Sequence, residues 1–181
     1  MNRRFNADFS KLESDQRKKI LPADNILNQL HIHPGDTIID FGCGIGYFSI
    51  PATQHVGKTG TVIAIDINQD MIDELTKRTQ KIPNIKIIKT DTITGYKADV
   101  ILLIAVLHEI KSPQNFLNDC FNSLKENGRI AIIDWQKKET KGGPPQTHRL
   151  SKEHVIKMAR KQYLDHDIDD SFYFLEFVTE H

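Results

Sequence analysis

The sequence predicts an α/β fold built on a mostly parallel, seven-stranded sheet that ends in a C-terminal antiparallel hairpin. Short runs rich in isoleucine and valine alternate with stretches of helical character, a pattern typical of a parallel sheet covered by helices on both faces. A glycine-rich loop directly follows the first of these runs. The 181 residues are enough to bury a full core, so we predict a single domain over residues 1–181.

Five strands of the parallel sheet are predicted from runs of β-branched residues. They are Thr37–Phe41, Thr61–Asp66, Ile85–Lys89, Val100–Ile104 and Arg129–Asp134. Helices are predicted before and between them, at Pro22–Leu30, Tyr47–His55, Asp70–Ile82 and Asn115–Leu124. Because Pro51 has no amide hydrogen, we expect a kink or a short first turn in the second of these helices.

The alternation of strands and helices ends after the fifth predicted strand. The segment GGPPQ predicts a loop, and Ser151 is a good N-cap for a helix over Lys152–Tyr163. Two extended runs follow, Leu164–Asp169 and Phe172–Thr179, with a short polar break between them. Their spacing predicts an antiparallel hairpin at the edge of the sheet, which brings the number of strands to seven.

Composition excludes several classes of protein. The chain carries 24 basic and 24 acidic side chains without a basic block, which argues against broad nucleic-acid binding. No apolar run approaches membrane-spanning length, and the N-terminus has no signal-peptide core. The two cysteines, Cys43 and Cys120, form neither a metal-binding nor a disulfide pattern. We therefore expect a soluble cytoplasmic protein without a resident metal.

The stretch IIDFGCGIGYFSI places three glycines after the first predicted strand. Glycine permits a tight turn and a close approach of backbone to a ligand. Gly42, Gly44 and Gly46 are spaced G-x-G-x-G, and Tyr47 stands where the dinucleotide fingerprint requires its third glycine. This mismatch argues against NAD. A tight turn without a ligand is the alternative, although a mere turn does not require three glycines.

Carboxylates follow the next two predicted strands. Ligands of open α/β sheets bind beyond the carboxyl ends of the strands. Asp66 lies twenty residues after Gly46 and is positioned to accept hydrogen bonds from ribose hydroxyls. Alternatively, Asp66 caps the following helix, although Asn68 or Asp70 could also fill that role. Asp91 follows the third strand and is either a turn residue or an acceptor for the exocyclic amine of a purine.

A resemblance to a known family emerges from these motifs in their order. The segments IIDFGCGIG, AIDIN, KTD, DVILLIAVLHEI and LKENGRIAIIDW resemble the successive motifs of class I S-adenosylmethionine-dependent methyltransferases. The similarity covers the chain from about Pro22 to the C-terminus. It implies a three-layer αβα Rossmann-like fold and S-adenosylmethionine as cofactor, with S-adenosylhomocysteine as product. Among subfamilies, the chain is most similar to the small-molecule type that includes the quinone-biosynthesis methyltransferases.

The resemblance also implies a set of cofactor-binding residues. Asp40 and the Gly42–Gly46 loop would hold the methionine end, and Ala105 would lie below the sulfonium. Asp66 would bind the ribose, and Asp91 the adenine amine, with Ile67 and Thr92 against the adenine. The implied set is Asp40, Gly42, Cys43, Gly44, Gly46, Tyr47, Asp66, Ile67, Asp91, Thr92 and Ala105.

The fourth motif supplies candidates for catalysis. It reads AVLHE and lacks the Asn-Pro-Pro-Tyr or Asp-Pro-Pro-Tyr sequence typical of methyltransferases that act on amide or adenine nitrogen. Histidine titrates near neutral pH, so His108 is a candidate general base, with Glu109 orienting it or acting as a second acceptor. Alternatively, both residues only cap a helix or line the surface.

Three further residues are candidates for contact with the methyl acceptor. Asp134 ends the fifth predicted strand, and His148 and Arg149 follow the GGPPQ loop. Each also has a structural explanation: Asp134 as a satisfied loop carboxylate, Arg149 paired with an acidic neighbour, and His148 at the start of the last helix. A metal site from His108, Glu109, Asp134 and His148 is conceivable but lacks tight ligand spacing.

The polar N-terminal residues 1–20, with Phe5, Phe9 and Leu12 spaced through them, are either a frayed terminus or, by the family resemblance, part of a lid over the cofactor. The leading hypothesis is a methyltransferase acting on a small-molecule acceptor. A catalytically silent S-adenosylmethionine-binding subunit and an NAD oxidoreductase are the alternatives. With two cysteines, the multi-cysteine chemistry of an arsenite methyltransferase is absent.

Overall fold

The computed structural model describes residues 9–178 of the chain. The chain forms two compact units, Met1–Asp91 and Thr92–His181. No helix within the described range is both long and apolar enough to cross a membrane. Phe5 and Thr179, which the sequence places in the N-terminal arm and the last strand, lie outside the described residues.

Seven strands form one mixed sheet. The strands are β1 Thr37–Phe41, β2 Thr61–Asp66, β3 Ile85–Lys89, β4 Ala98–Ile104, β5 Leu124–Trp135, β6 Tyr163–His166 and β7 Phe172–Val178. Their order in the sheet is β3-β2-β1-β4-β5-β7-β6. The helices are α1 Asp15–Ile20, α2 Ala23–Gln29, α3 Ser49–His55, α4 Gln69–Arg78, α5 Pro113–Asn122 and α6 Lys152–Ala159. Short 3-10 turns lie at Phe9–Glu13, Leu107–Glu109 and Gln146–His148.

The first unit contains three parallel strands. Thr37 of β1 pairs with Thr61 of β2, and Val62 of β2 pairs with Ile85 of β3. The residues of β1 and β2 are almost all buried, as expected of strands covered on both faces. This pairing aligns the carboxyl ends of the strands, where the glycine loop begins.

The second unit combines parallel and antiparallel pairing. β4 and β5 run parallel, whereas β7 lies antiparallel between β5 and β6. Six of the seven residues of β7 are buried, and three large aromatic side chains fill the core there: Tyr173, Phe174 and Phe177. The antiparallel C-terminal hairpin of the sequence prediction is confirmed.

The first three predicted strands are correct to the residue, but other boundaries differ. The helix predicted to reach Tyr163 ends at Ala159, because Arg160 adopts the left-handed conformation with φ of 50° and Tyr163 begins β6. β5 begins at Leu124 instead of Arg129, with a shift of register against β4 that accommodates the extra residues.

The helix that follows the glycine loop also differs from the prediction. It begins at Ser49, two residues later than Tyr47, so that Pro51 falls in its first turn. The first-turn amides of a helix have no intrahelical partner, and the missing amide hydrogen of Pro51 therefore costs nothing there. The later start of the helix thus accommodates Pro51. Ser151 caps α6 as predicted, by accepting from the His154 amide.

Replacing Gly46 by alanine is expected to destabilise the fold by about 2–3 kcal/mol. Its φ is +89°, and a β-carbon there would overlap Leu75 Cδ1 and lie 3.2 Å from Ile50 Cγ1. Gly142→Ala is the matched control, because no atom lies within 4 Å of the added β-carbon. Its free energy of unfolding should stay within about 0.5 kcal/mol of wild type. Denaturant unfolding measures both, and equal midpoints for the two variants would contradict the steric argument.

Candidate functional site

The glycine loop after β1 is pinned to the end of β2. All three glycines have positive φ: 76° at Gly42, 54° at Gly44 and 89° at Gly46, which side chains with a β-carbon rarely adopt. The Gly44 amide donates to Asp66 Oδ2 at 2.8 Å, and the Asn68 amide donates to Asp66 Oδ1 at 2.8 Å. Asn68 itself caps α4 by accepting from Asp70. Asn68, not Asp66, is therefore the cap of α4, and Asp66 fixes the glycine loop through the Gly44 amide.

Asp40 lies behind the glycine loop and is only 3% exposed. The Ser49 hydroxyl donates to Asp40 Oδ2 at 2.5 Å, which ties the end of β1 to the start of α3. Burial raises the pKa of Asp40 to about 6, an effect that the Ser49 hydrogen bond partly offsets. A buried carboxyl group with a raised pKa gains strongly from a nearby cation.

Cys43 and Tyr47 occupy different environments within the loop. Cys43 is buried in an apolar cluster with Ala64 and Leu75, and burial raises the pKa of its thiol. Cys43 thus packs in the core of the first unit. Tyr47 donates its hydroxyl to the Leu21 carbonyl at 2.8 Å.

The described part of the N-terminal arm packs on this loop. Leu12 Cδ1 lies 3.9 Å from the position that a β-carbon on Gly44 would occupy. The Arg17 guanidinium lies over the Tyr47 ring, 5.3 Å from its centroid. A salt bridge from Arg78 Nη1 to Glu13 Oε1 at 2.6 Å ties the arm to α4. Residues 9–21 are therefore anchored at several points of the first unit.

Two residues assigned to the adenine by resemblance lie exposed in the first unit. Ile67 directly follows Asp66 and is 59% exposed, an unusual position for a large aliphatic side chain. Asp91 follows β3 and is also exposed. Thr92, in the second unit, is exposed and accepts the Thr94 amide at 3.1 Å through its hydroxyl.

In the second unit, Ala105 follows β4 in a strained backbone conformation. Its φ is 54°, in the left-handed region that alanine rarely adopts. The Ala105 amide donates to the Ile133 carbonyl at 2.7 Å, which holds this conformation. Strain of this kind costs about 1–3 kcal/mol and clusters at functional sites.

His108 and Asp134 form a buried hydrogen-bonded pair in the same unit. His108 Nδ1 lies 2.7 Å from Asp134 Oδ1, and the two side chains are 6% and 2% exposed. Asp134 also accepts the His108 amide at 3.1 Å and the Trp135 amide at 2.8 Å. Glu109 is 66% exposed and lies 3.7 Å from His108 Nε2. Asp134, not Glu109, therefore orients the imidazole.

Arg149 holds the loop that follows β5. Its guanidinium is buried and lies over the Trp135 ring at 5.3 Å. The guanidinium donates to the carbonyls of Gln136, Lys138, Gly142 and Pro144. The predicted acidic partner is thus replaced by four backbone carbonyls, and the geometry gives Arg149 a structural role. His148 is exposed in the 3-10 turn before α6 instead of starting that helix.

The four residues considered as a metal site are not gathered into one. His108 and Asp134 are paired, whereas Glu109 and His148 are exposed. Across residues 9–178, no group of three or more His, Cys, Asp or Glu side chains has a geometry that could hold a metal ion.

A model of the methyltransferase domain family matches residues 32–176. The chain belongs to the methyltransferase domain family. The resemblance read from the successive motifs is confirmed by this match, which begins before β1 and ends within β7.

Two curated relatives agree with this membership. An arsenite methyltransferase from Halobacterium salinarum is 28% identical over 56% of this chain and 27% of that protein. A demethylmenaquinone methyltransferase from Lactobacillus johnsonii is 27% identical over 59% of this chain and 46% of that protein. The chain thus spans less than half the length of either relative.

A solved structure supports the fold class. The crystal structure of a SAM-dependent methyltransferase from Aquifex aeolicus superposes with a TM-score of 0.85 at 23% identity. The superposition covers 94% of this chain and 96% of that chain. The predicted Rossmann-like α/β fold is confirmed.

Sequence reasoning missed three residues that lie beside the candidate residues Tyr47, Asp40 and Asp134. Arg17 lies in the charged run DQRKK, which is typical of a solvated helix face. Ser49 has no sequence signal that links it to Asp40. Tyr173 pairs with Asp134 in the β5–β7 register and is 2% exposed. Its hydroxyl has no hydrogen-bond partner among the described residues, and burial raises its pKa.

Replacing Asp40 by asparagine tests the cost of burying its carboxyl group. Because the pKa of Asp40 is raised from 3.8 to about 6, the folded protein binds this proton more tightly than the unfolded chain does. The resulting stabilisation is complete below about pH 4 and is lost as the pH rises through about 6. We expect Asp40→Asn, whose amide oxygen still accepts from Ser49, to be about 1–3 kcal/mol more stable than wild type at pH 8.

Unfolding by denaturant at a series of pH values measures this difference. The wild-type free energy of unfolding should fall between about pH 4 and 7 relative to that of Asp40→Asn. If the free energies of unfolding of the two proteins change with pH in parallel, burial does not raise the pKa of Asp40 and the expectation is wrong.

Proposed function

We propose that this protein is an S-adenosylmethionine-dependent methyltransferase that methylates a small molecule, with His108 as the general base. The buried pair of His108 and Asp134 carries the proposal. Because Asp134 accepts at Nδ1, the neutral imidazole keeps its proton there and presents a lone pair at Nε2. An oriented nitrogen base of this kind suits removal of a proton from an acceptor atom.

The first unit supplies residues that fit the cofactor. The Asp66 oxygens each accept one backbone amide, and each carboxylate oxygen has a second lone pair for a ribose hydroxyl. The exposed Ile67 side chain offers an apolar surface to the adenine. Asp91 is the acceptor for the adenine amine, and Asp40 lies at the methionine end behind the glycine loop.

In the second unit, Thr92 and Ala105 are the residues that we assign to the cofactor. Ala105 is small and is held in its left-handed conformation by the hydrogen bond to Ile133. A larger side chain at this strained position would be costly. We assign Ala105 to the surroundings of the sulfonium and Thr92 to those of the adenine.

When bound, S-adenosylmethionine supplies an electrophilic methyl group on a positively charged sulfur. The contribution of the protein is to hold an acceptor atom in line with that methyl group and to exclude water. His108 accepts the proton of the acceptor at Nε2, and Asp134 stabilises the resulting imidazolium through Nδ1. Glu109, exposed beside Nε2, offers an exit for this proton.

Several features favour a small-molecule acceptor. The formal net charge is zero, which gives no electrostatic footprint for nucleic acid. Two relatives are named for arsenite and demethylmenaquinone, both small molecules. Both cysteines are buried, and burial raises the pKa of each thiol, so neither supplies a thiolate for arsenic. An acceptor that must lose a proton, such as a phenolic hydroxyl, fits best. Residues 1–181 would act as one methyltransferase domain.

Titration calorimetry tests the choice of cofactor. We expect the wild-type protein to bind S-adenosylhomocysteine, and Asp66→Ala to lose about tenfold or more in affinity, because the variant loses both the ribose acceptor and the anchor of the Gly44 amide. NAD should not bind. Binding of NAD without binding of S-adenosylhomocysteine would refute the proposal.

Replacing His108 tests the proposed base. In a screen of acceptors with labelled S-adenosylmethionine, His108→Ala should lower methyl transfer by about 10²- to 10⁴-fold. Its affinity for S-adenosylhomocysteine should remain that of wild type. Asp134→Asn should show a smaller loss of the same kind, because the imidazole loses its carboxylate partner.

His154→Ala is the matched control, since His154 is an exposed histidine on α6 of the same unit. Its methyl transfer should equal that of wild type. If His108→Ala also retains full transfer, no base is used at this position. If wild type binds S-adenosylhomocysteine but methylates no acceptor in the screen, a silent cofactor-binding subunit is the better description.

A further inference from the structure

Arg17 is a partly buried cation for which the described chain provides no anion at contact distance. Its Nε is buried and has no hydrogen-bond partner, and within residues 9–178 no carboxylate forms a salt bridge with its guanidinium. Burial lowers the pKa of Arg17, which the charge of Asp40 and the Tyr47 hydroxyl only partly counter. Burying a guanidinium nitrogen without a hydrogen-bond acceptor is costly. Such a group is typical of a site that awaits an anionic partner.

The position of Arg17 is fixed from both ends of α1. The Ser14 hydroxyl accepts the Arg17 amide at 3.2 Å at the start of the helix. At its other end, the Leu21 carbonyl accepts the Tyr47 hydroxyl at 2.8 Å, and the Tyr47 ring lies below the guanidinium. Arg17 is therefore held against the residue that directly follows Gly46 of the glycine loop.

The methionine end of S-adenosylmethionine carries two opposite charges, an α-ammonium and an α-carboxylate. The stretch from Asp40 to Phe48 contains one carboxylate and no cation, so it suits the ammonium and leaves the carboxylate without a partner. A guanidinium presents two parallel N–H donors that match the two oxygens of a carboxylate. Arg17, which precedes the Asp40–Phe48 stretch in the sequence, places a guanidinium over Tyr47 beside the glycine loop.

We propose that Arg17 binds the α-carboxylate of the methionine portion of the cofactor. The inference rests on the proposed function, because it requires S-adenosylmethionine at the glycine loop. It makes the arm of residues 9–21 part of the cofactor site and assigns Arg17 a specificity role. Ligands with an amino-acid tail are favoured over adenosine thioethers that lack one.

Two ligands separate a carboxylate contact from a structural role. S-adenosylhomocysteine has the amino-acid tail, whereas 5′-methylthioadenosine keeps the adenosine and the thioether but has no carboxylate. In titration calorimetry, Arg17→Met should lose about 10- to 100-fold in affinity for S-adenosylhomocysteine. Its affinity for 5′-methylthioadenosine should change by less than about threefold.

Lys18→Met is the matched control, because it removes a charge from an exposed side chain of the same helix. It should bind both ligands as wild type does. Arg17→Lys keeps the charge without the planar fork and should lose affinity for S-adenosylhomocysteine alone, by an intermediate factor. This variant decides the question if Arg17→Met does not fold.

The possible outcomes are distinct. Equal losses for both ligands would mean that Arg17 only packs on Tyr47 and would overturn the inference. Unchanged affinity of the Arg17 variants for S-adenosylhomocysteine would overturn it as well. Failure of the wild-type protein to bind either ligand would refute the proposed function instead.

Discussion

The first unit depends on the way the glycine loop is fastened to the end of β2. Gly42 and Cys43 both donate their amides to the Ile65 carbonyl, at 2.8 and 3.0 Å, and Gly44 donates to the Asp66 carboxylate. Three successive amides are thus fixed by two residues of the neighbouring strand. The left-handed conformations of the loop follow from this arrangement, and with them the direction in which α3 leaves the sheet. Everything proposed for the methionine end of the cofactor relies on that geometry.

Much of the fold was predictable because burial on both faces leaves a strong pattern in β1, β2 and β3. The N-cap preference of serine also predicted the Ser151 cap, and the spacing of two extended runs predicted the terminal hairpin. The misses have a common physical cause. The pairing of His108 with Asp134 joins residues 26 positions apart, and the Arg149 guanidinium selects carbonyls that its own loop folds toward it. Such partners are created by tertiary structure, so residue types and spacing alone do not specify them.

Both units bury a carboxylate at or next to the end of a strand, but they satisfy it differently. Asp40 receives one hydroxyl from Ser49 and has a raised pKa. Asp134 receives two backbone amides and an imidazole. Hydrogen bonds stabilise the charged form of a carboxylate, whereas burial disfavours it. The three donors around Asp134 fix its carboxyl group against the imidazole of His108, whereas Asp40 receives a single side-chain donor, Ser49.

The insertion of β7 between β5 and β6 has a consequence for synthesis on the ribosome. β6 precedes β7 in the chain, yet among residues 9–178 the strand that pairs with β6 is β7. When β6 has left the ribosome but β7 has not, the strand with which β6 pairs is therefore not yet available. The second unit is completed only after Phe172–Val178 has emerged and paired with β5. Until then, the backbone N–H and C=O groups of β5 that pair with β7 in the folded protein have no strand partner.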